Sequence, residues 1–192
     1  MKSLTKTIAL SANSSWYLYN FRQSTIKKAI SEGYKVLCIS PMDNYSLKLE
    51  DLGCMHYELN FNSKSINPFL DLILLYKFFK LYKLLRPDVA FHFTIKNNIY
   101  GTIASRLLGI PSINNISGLG TAFLSSSLSL LIVKFLYKIS QPFAHKVFCQ
   151  NIEDYNYLIS KNLVQKEKLD LLPGSGVDLQ RFNAELKSKK IR

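Results

Sequence analysis

Short runs of β-branched and other apolar residues alternate with longer helical patterns along almost the whole chain, and this alternation restricts the fold more than any other feature. Seven runs predict strands, at residues 7–11, 35–40, 56–59, 88–94, 112–115, 146–150 and 169–172. The segments between them predict helices, at residues 16–31, 46–52, 68–85, 98–108, 127–144 and 153–161. Such alternation is typical of βαβ units. We therefore predict an α/β fold built on a single doubly wound parallel sheet with helices on both faces.

Length and charge set the broad class of protein. At 192 residues, with 47% hydrophobic and 20% charged residues, the chain has the composition of a globular domain and not of a disordered one. Its formal net charge of +12 indicates a partner of opposite charge. That partner is nucleic acid, an anionic membrane surface or a phosphorylated substrate, and composition alone leaves all three open.

The sequence predicts neither a targeting segment nor a spanning helix. The apolar stretch at residues 8–10 is too short for a signal peptide, and the longer apolar windows are interrupted by lysines. A cytoplasmic protein is therefore expected. Cys38, Cys54 and Cys149 are expected to be buried free thiols. The three histidines lack metal-ligand spacing, so no metal site is predicted. No cofactor is predicted either.

The residues that follow the strands are the first candidates for a site, because a doubly wound sheet binds ligands beyond the carboxyl ends of its strands. These segments are rich in Asn, Ser, Thr and Gly, at residues 12–16, 94–98, 116–121, 150–154 and 173–178. Such residues suit turns, and they equally suit contacts with hydroxyl-bearing ligands. Both interpretations remain open at this point.

The loop after the first strand offers an anion site. Asn13, Ser14 and Ser15 lead into a helix whose free backbone N–H groups would point toward a phosphate. An ordinary helix cap is the alternative. Arg22 lies about a turn and a half further on, where it either contacts the ligand or is solvated. The loop has no G-x-G-x-x-G pattern, which argues against a dinucleotide oxidoreductase.

The end of the fourth strand provides a second group of candidates. His92 could orient a hydroxyl group, but its neighbours Phe91 and Phe93 equally suit a histidine inside the core. Thr94, Lys96 and Asn98 are expected to face the site, and Lys96 could neutralise a phosphate. Two glycine-rich segments complete the set of candidate residues: Gly118 and Gly120 in one, and Gly174, Ser175 and Gly176 in the other.

The helix at residues 68–85 carries cations at intervals of three residues among apolar and aromatic side chains. They are Lys77, Lys80, Lys83 and Arg86. This pattern suits contact with an anionic membrane surface. It also suits an ordinary crossover helix that buries one face and solvates the other. Residues 127–146 form a second candidate surface of the same kind.

Four separated stretches together resemble family 4 glycosyltransferases of the GT-B fold, in the branch that builds bacterial surface polysaccharides such as lipopolysaccharide or capsule. They are Asn-Ser-Ser-Trp-Tyr-Leu-Tyr-Asn-Phe-Arg at residues 13–22, His-Phe-Thr-Ile-Lys-Asn-Asn-Ile-Tyr-Gly at 92–101, Asn-Asn-Ile-Ser-Gly-Leu-Gly-Thr-Ala-Phe at 114–123 and Leu-Pro-Gly-Ser-Gly-Val-Asp at 172–178. The resemblance implies a Rossmann-like acceptor-binding domain at residues 1–182. A basic tail at residues 183–192 would then continue toward a donor-binding domain that this sequence does not include.

The resemblance also implies a function. The chain is expected to bind the acceptor in a retaining glycosyltransferase that transfers a sugar from a nucleotide-sugar donor to a polyprenyl-diphosphate-linked glycan at the inner face of the cell membrane. Gly174, Ser175 and Gly176 would then lie near the donor phosphates. No residue is assigned to catalysis, since Glu50 and Glu58 imitate the family's donor motif only by coincidence. The alternative is a noncatalytic membrane-surface protein, or a remnant, that pairs with a separate donor-binding chain. No aromatic platform is recognisable, so nucleic acid is not a predicted partner.

Overall fold

The computed structural model describes residues 5–119 and 128–176, and it contains the predicted parallel sheet. Seven strands pair in the order β3-β2-β1-β4-β5-β6-β7, and every pair is parallel. The strands are β1 (Thr7–Ser11), β2 (Lys35–Ser40), β3 (Met55–Glu58), β4 (Val89–Phe93), β5 (Ser112–Ile116), β6 (Lys146–Cys149) and β7 (Leu169–Leu171). The predicted doubly wound α/β fold is confirmed.

The helices lie near the predicted positions, although the helix predicted at residues 127–144 ends at Ser140 and is followed by a 3-10 turn at Gln141–Phe143. The helices are α1 (Ser15–Phe21), α2 (Gln23–Ser31), α3 (Ser46–Glu50), α4 (Pro68–Leu85), α5 (Thr102–Leu107), α6 (Leu128–Ser140) and α7 (Ile152–Ser160). The single helix predicted at residues 16–31 is divided at Arg22, whose φ of −125° and ψ of 7° are not helical. A π-helical turn at Asn97–Gly101 precedes α5, in place of a regular first turn.

Helices pack on both faces of the sheet, each layer with its own apolar cluster. On one face, Leu18, Ile26 and Leu49 come from α1, α2 and α3. On the other face, α4 contributes Leu74 and Phe78 to the larger cluster, together with residues from α5, α6 and α7. The three cysteines are buried and unpaired, as predicted. The arrangement leaves the ends of the strands for the loops.

Local sequence signals explain the bounds of α4. The Asn67 side chain accepts a hydrogen bond of 2.9 Å from the Phe69 backbone N–H, and Pro68 occupies the first turn. The helix stops at Arg86, which adopts a left-handed conformation with φ 45° immediately before Pro87. The predicted start and end of this helix are both confirmed.

His92 lies in the interior, fully buried between the sheet and α4. Asn114 donates through Nδ2 to Gln141 Oε1, so its Oδ1 faces His92 Nδ1 at 2.9 Å. His92 Nε2 then accepts from the Tyr82 hydroxyl at 2.9 Å. Gly101 covers the ring so closely that a Cβ atom there would lie 2.5 Å from it. Burial lowers the pKa of His92 to about 4, so the side chain is neutral at physiological pH.

The neutral His92 makes the stability of the fold depend on pH. Its pKa is about 4 in the folded chain and about 6.5 unfolded. The folded state therefore keeps its full stability above about pH 6.5. It loses stability as the pH falls toward 4, because the unfolded chain binds a proton at His92 that the folded chain does not. Between pH 7.5 and pH 5 we expect this one group to lower the free energy of unfolding by about 2 kcal/mol.

Urea unfolding of wild type and His92→Gln at both pH values measures this contribution. The variant should lose about 2 kcal/mol less than the wild type between the two pH values. His145→Asn, at an exposed histidine, is the matched control and should follow the wild type. Identical pH dependence in wild type and His92→Gln would contradict the assignment.

Candidate functional site

A pocket of about 340 Å³ opens at the carboxyl edge of the sheet, beyond the ends of β1, β4 and β5. The strand order reverses between β1 and β4, which is the position where doubly wound sheets bind ligands. Its polar lining consists of Asn13, Tyr17, Ser63, Lys64, Thr94, Lys96, Asn98, Asn115, Ser117 and Tyr137, with Phe61, Ile95, Ile116 and Gly118 completing the wall. Among the described residues, this lining contains two lysines and no acidic side chain.

Half of the sequence-predicted substrate residues meet in this pocket. Asn13, Thr94, Lys96, Asn98 and Gly118 line it. The structure places four others outside the lining: Ser14, Ser15, Arg22 and His92. Gly120 lies outside the described residues. The predicted groups after the first and fourth strands therefore converge, although not every member faces the pocket.

At the start of α1, two backbone N–H groups are already hydrogen-bonded to side chains of the protein. The Trp16 N–H donates to Asp43 Oδ2 at 3.0 Å, and the Tyr17 N–H donates to the Ser14 hydroxyl at 3.1 Å. The Ser15 hydroxyl is buried and contacts Ser40 and Ser46, each at 2.8 Å. An anion at these amides would have to displace Asp43. The cap interpretation of Ser14 therefore fits the structure better than phosphate contact.

Thr94 carries backbone strain at the rim of the pocket. Its φ of 73° lies in the left-handed region, which a β-branched residue rarely adopts. Its hydroxyl donates to Asn97 Oδ1 at 2.9 Å, at the start of the π-helical turn. Strained residues and π-helical turns both occur often at functional sites. Their coincidence here supports the pocket as the candidate site.

Lys96 already has a counter-ion. Its Nζ lies 2.5 Å from Asp71 Oδ1, and both side chains are mostly buried. Burial, and then the neighbouring Asp71 carboxylate, raises the pKa of Tyr100 well above its usual range. The positive charge of Lys96 is thus compensated within the protein, whereas Lys64 is an exposed cation on the same pocket wall.

Several polar residues of the pocket were not among the predicted site residues: Tyr17, Ser63, Lys64, Asn115, Ser117 and Tyr137. Ser63 and Lys64 come from the segment after β3, which belongs to the strand-end class but was not singled out. Tyr137 comes from the last turn of α6, and burial raises its pKa to about 12 despite a hydrogen bond with Asn98. No local signal marks a helical tyrosine as a pocket residue, because only tertiary packing brings α6 to this edge.

Hydrogen bonds connect the pocket wall with the glycine-rich segment after β7. Gln150 Nε2 donates to Asn115 Oδ1 at 3.3 Å and to the Ser175 hydroxyl at 2.8 Å. Gly174 and Gly176 have φ values of 89° and 70°, so the segment forms a sharp turn that favours glycine. The predicted loop at Gly174, Ser175 and Gly176 therefore lies against the wall of the pocket without lining it.

The sequence profile of the glycosyl transferase 4-like family matches residues 7–151. Among characterised relatives, the N,N'-diacetylbacillosaminyl-diphospho-undecaprenol alpha-1,3-N-acetylgalactosaminyltransferase of Campylobacter jejuni is 30% identical over 171 residues, which cover 86% of this chain and 45% of the relative. The UDP-Gal:alpha-D-GlcNAc-diphosphoundecaprenol alpha-1,3-galactosyltransferase of Escherichia coli is 31% identical over 62% of this chain and 31% of the relative. The chain thus spans less than half the length of these two relatives.

Among solved structures, a glycosyltransferase from Rickettsia africae superimposes with a TM-score of 0.66 at 17% sequence identity. The match covers 96% of this chain and 48% of that one. At this level of identity the similarity concerns the fold. It matches a single parallel-sheet unit to about half of a larger glycosyltransferase.

The strain at Thr94 predicts an unusual order of stability among its variants. Thr94→Gly and Thr94→Ala both remove the hydroxyl, but only glycine adopts a φ of 73° without a steric penalty. We expect the glycine variant to be more stable by about 1 kcal/mol. Urea unfolding measures the difference. Ser63, a pocket residue with φ outside the left-handed region, is the control, and there alanine should be the more stable. If the alanine variant were more stable than the glycine variant at both positions, backbone strain at Thr94 would be excluded.

Proposed function

The chain belongs to the glycosyl transferase 4-like family, and from this membership we propose that it binds the acceptor in a retaining glycosyltransferase of bacterial surface polysaccharide synthesis. The transferred sugar comes from a nucleotide-sugar donor, and the acceptor is a glycan on polyprenyl diphosphate. Both characterised relatives are named for transfer to undecaprenyl-diphosphate-linked sugars. The main structural observation in support of this proposal is the pocket at the reversal of strand order, which is lined by lysine side chains and by hydroxyl and amide groups.

The chemistry of the pocket suits such an acceptor. Asn13, Thr94 and Asn98 offer amide and hydroxyl groups that can pair with sugar hydroxyls. Lys64 adds an exposed positive charge that can pair with a phosphoryl oxygen. A neutral sugar at one end and a diphosphate at the other would therefore both find complementary groups.

We assign residues 1–182 to the acceptor domain, with residues 183–192 continuing toward a donor-binding domain. Gly174, Ser175 and Gly176 lie at the same edge of the sheet as the pocket, so in the complete enzyme they would approach the donor phosphates. The hydrogen bond from Gln150 to Ser175 supports this placement, because it holds the loop beside the acceptor pocket.

We further propose that α4 rests on the inner face of the cell membrane. Ile73 and Tyr76 on its outer face are 50% and 64% exposed, and Phe69 and Leu72 continue the same apolar surface. Lys77, Lys80, Lys83 and Arg86 are exposed on and next to this helix. Apolar side chains flanked by cations suit the headgroup region of an anionic bilayer. No helix in residues 5–119 or 128–176 is long and apolar enough to cross a membrane.

Binding of a short-chain polyprenyl-diphosphate glycan tests the acceptor role directly. We expect the purified chain to bind it and Lys64→Glu to weaken binding at least tenfold, because the reversed charge repels the diphosphate. Isothermal titration calorimetry measures the affinity. Lys27→Glu, at an exposed lysine of α2, is the charge-matched control and should bind as the wild type. Absence of binding by the wild type would contradict the acceptor role.

Transfer is measured with the donor-binding domain supplied as a second chain. Product should form only when both chains, the nucleotide sugar and the glycan acceptor are present. Vesicle binding without transfer under every condition would favour the alternative, a noncatalytic membrane-surface protein. Rapid transfer by the present chain alone would exclude the division of labour proposed here.

Sedimentation with vesicles rich in anionic lipid tests the membrane surface. Replacing both Lys80 and Lys83 by Gln should weaken vesicle binding about 30-fold, since each cation near the surface contributes about 1 kcal/mol. The control replaces Lys27 and Lys48 by Gln. These are exposed lysines of the opposite helical layer, so vesicle binding should weaken much less. Equal losses in the two double variants would mean that net charge alone attracts the protein, with no oriented surface on α4.

A further inference from the structure

Arg22 is a buried cation without a counter-ion. Its side chain is only 6% exposed, and it lies between α1 and α2 with its Cζ 4.4 Å from the centre of the Phe93 ring. Its Nη2 donates to the Tyr17 hydroxyl at 3.0 Å and to the Ser117 hydroxyl at 3.3 Å. Its Nε is buried and finds no acceptor in residues 5–119 or 128–176. Within the described part of the chain, no carboxylate pairs with it.

The burial of the Arg22 charge costs free energy that its present contacts do not fully offset. A guanidinium group keeps its charge in proteins, so burial cannot be relieved by loss of a proton. The Phe93 ring and two neutral hydroxyls compensate only part of the lost hydration, because a buried charge normally requires an opposite charge. An anion that arrives with a ligand would supply the missing partner.

The hydrogen bonds around Arg22 lead to the pocket. Because Arg22 only donates, the oxygens of Tyr17 and Ser117 both accept from it, and these hydroxyls also contact each other at 2.6 Å. The Ser117 hydroxyl lies 3.3 Å from Asn115 Oδ1, which also accepts from Gln150. Because Asn115 Oδ1 accepts these hydrogen bonds, the donors of this side chain are the two N–H groups of Nδ2. Tyr17, Asn115 and Ser117 all line the pocket.

We propose that Tyr17, Ser117 and Asn115 in the wall of the pocket form a diphosphate subsite together with Arg22, which lies outside the lining and contacts the first two of these residues. A phosphoryl oxygen inserts where the Tyr17 and Ser117 hydroxyls now contact each other and accepts from both. The charge of Arg22 stabilises the bound anion through these hydroxyls and through its unused N–H groups. The identity of the ligand rests on the proposed function.

Lys96 cannot take this role in the same way. Its ammonium group is 2.5 Å from Asp71, so an added anion there would compete with an existing carboxylate. Arg22 has no such competitor among the described residues. A planar guanidinium beside two hydroxyls also fits phosphoryl oxygens better than it fits neutral sugar hydroxyls. The subsite thus distinguishes a diphosphate-linked acceptor from a free glycan.

The first experiment uses inorganic pyrophosphate with the purified chain. We expect saturable binding by calorimetry, weakened at least tenfold in Arg22→Gln and measurably in Tyr17→Phe, which keeps the ring and removes only the hydroxyl. Arg106→Gln, at an exposed arginine of α5, is the matched control and should bind as the wild type. In the wild type, the NMR resonance of the Arg22 Nε–H group should shift during titration.

Two further ligands distinguish the sources of the diphosphate. Farnesyl diphosphate represents the lipid carrier, and UDP represents the donor nucleotide. Loss of affinity in Tyr17→Phe for farnesyl diphosphate alone would assign the subsite to the acceptor, and loss for UDP alone would assign it to the donor.

The inference is overturned if pyrophosphate binds the wild type and both variants equally, or if the Arg22 resonance does not move at saturation. It is also overturned if the wild type binds the polyprenyl-diphosphate glycan but not pyrophosphate, and in that case the proposed function stands. Binding of pyrophosphate at Arg22 without any binding of the glycan would instead uphold the anion subsite and overturn the proposed acceptor.

Discussion

The pairing of β1 with β2 on one side and with β4 on the other is the constraint on which the site depends. Ser11, the last residue of β1, lies opposite Ile39 of β2 and His92 of β4. After β1 the chain forms β2 and β3 toward one edge of the sheet, and it then crosses back to form β4 on the other side of β1. The helices before β2 and the helix before β4 therefore lie on opposite faces of the sheet. The loops after β1 and β4 therefore diverge, and the gap between them is the pocket lined by Asn13 and Thr94.

Beneath the pocket, buried hydrogen bonds fix the second helical layer more specifically than apolar packing could. The Asn98 carbonyl accepts from the Thr102 hydroxyl at 2.7 Å and from Gln141 Nε2 at 3.2 Å. Asn114 extends the same network to His92. A polar network of this kind is stable only when its members are satisfied together, so it permits few alternative positions. The network fixes the π-helical turn in the position from which the Asn98 side chain reaches the pocket.

Strands and the best-marked helix were predictable because their signals are local. The bounds of β1 and β2 match the prediction, and those of α4 follow from Asn67, Pro68 and Pro87 in the immediate sequence. The break at Arg22 was not predictable, because its side chain is held by Ser117, which is 95 positions away along the chain. For the same reason the sequence indicated which strand ends form the site, but not which side chains at those ends would turn inward to cap helices.

The positively charged side chains lie in different environments, and their charges therefore act on anions over different distances. Lys80 and Lys83 are exposed, and salt screens such charges beyond about 10 Å, so they act only when an anionic surface is close. Lys96 is neutralised by Asp71 and mainly fixes α4 against the turn after β4. Arg22 is buried where the dielectric is low, so it acts strongly on an anion, but only on one that enters the pocket. On the proposed function, the surface cations therefore govern encounter with the lipid phase, whereas the buried guanidinium governs which headgroup is retained.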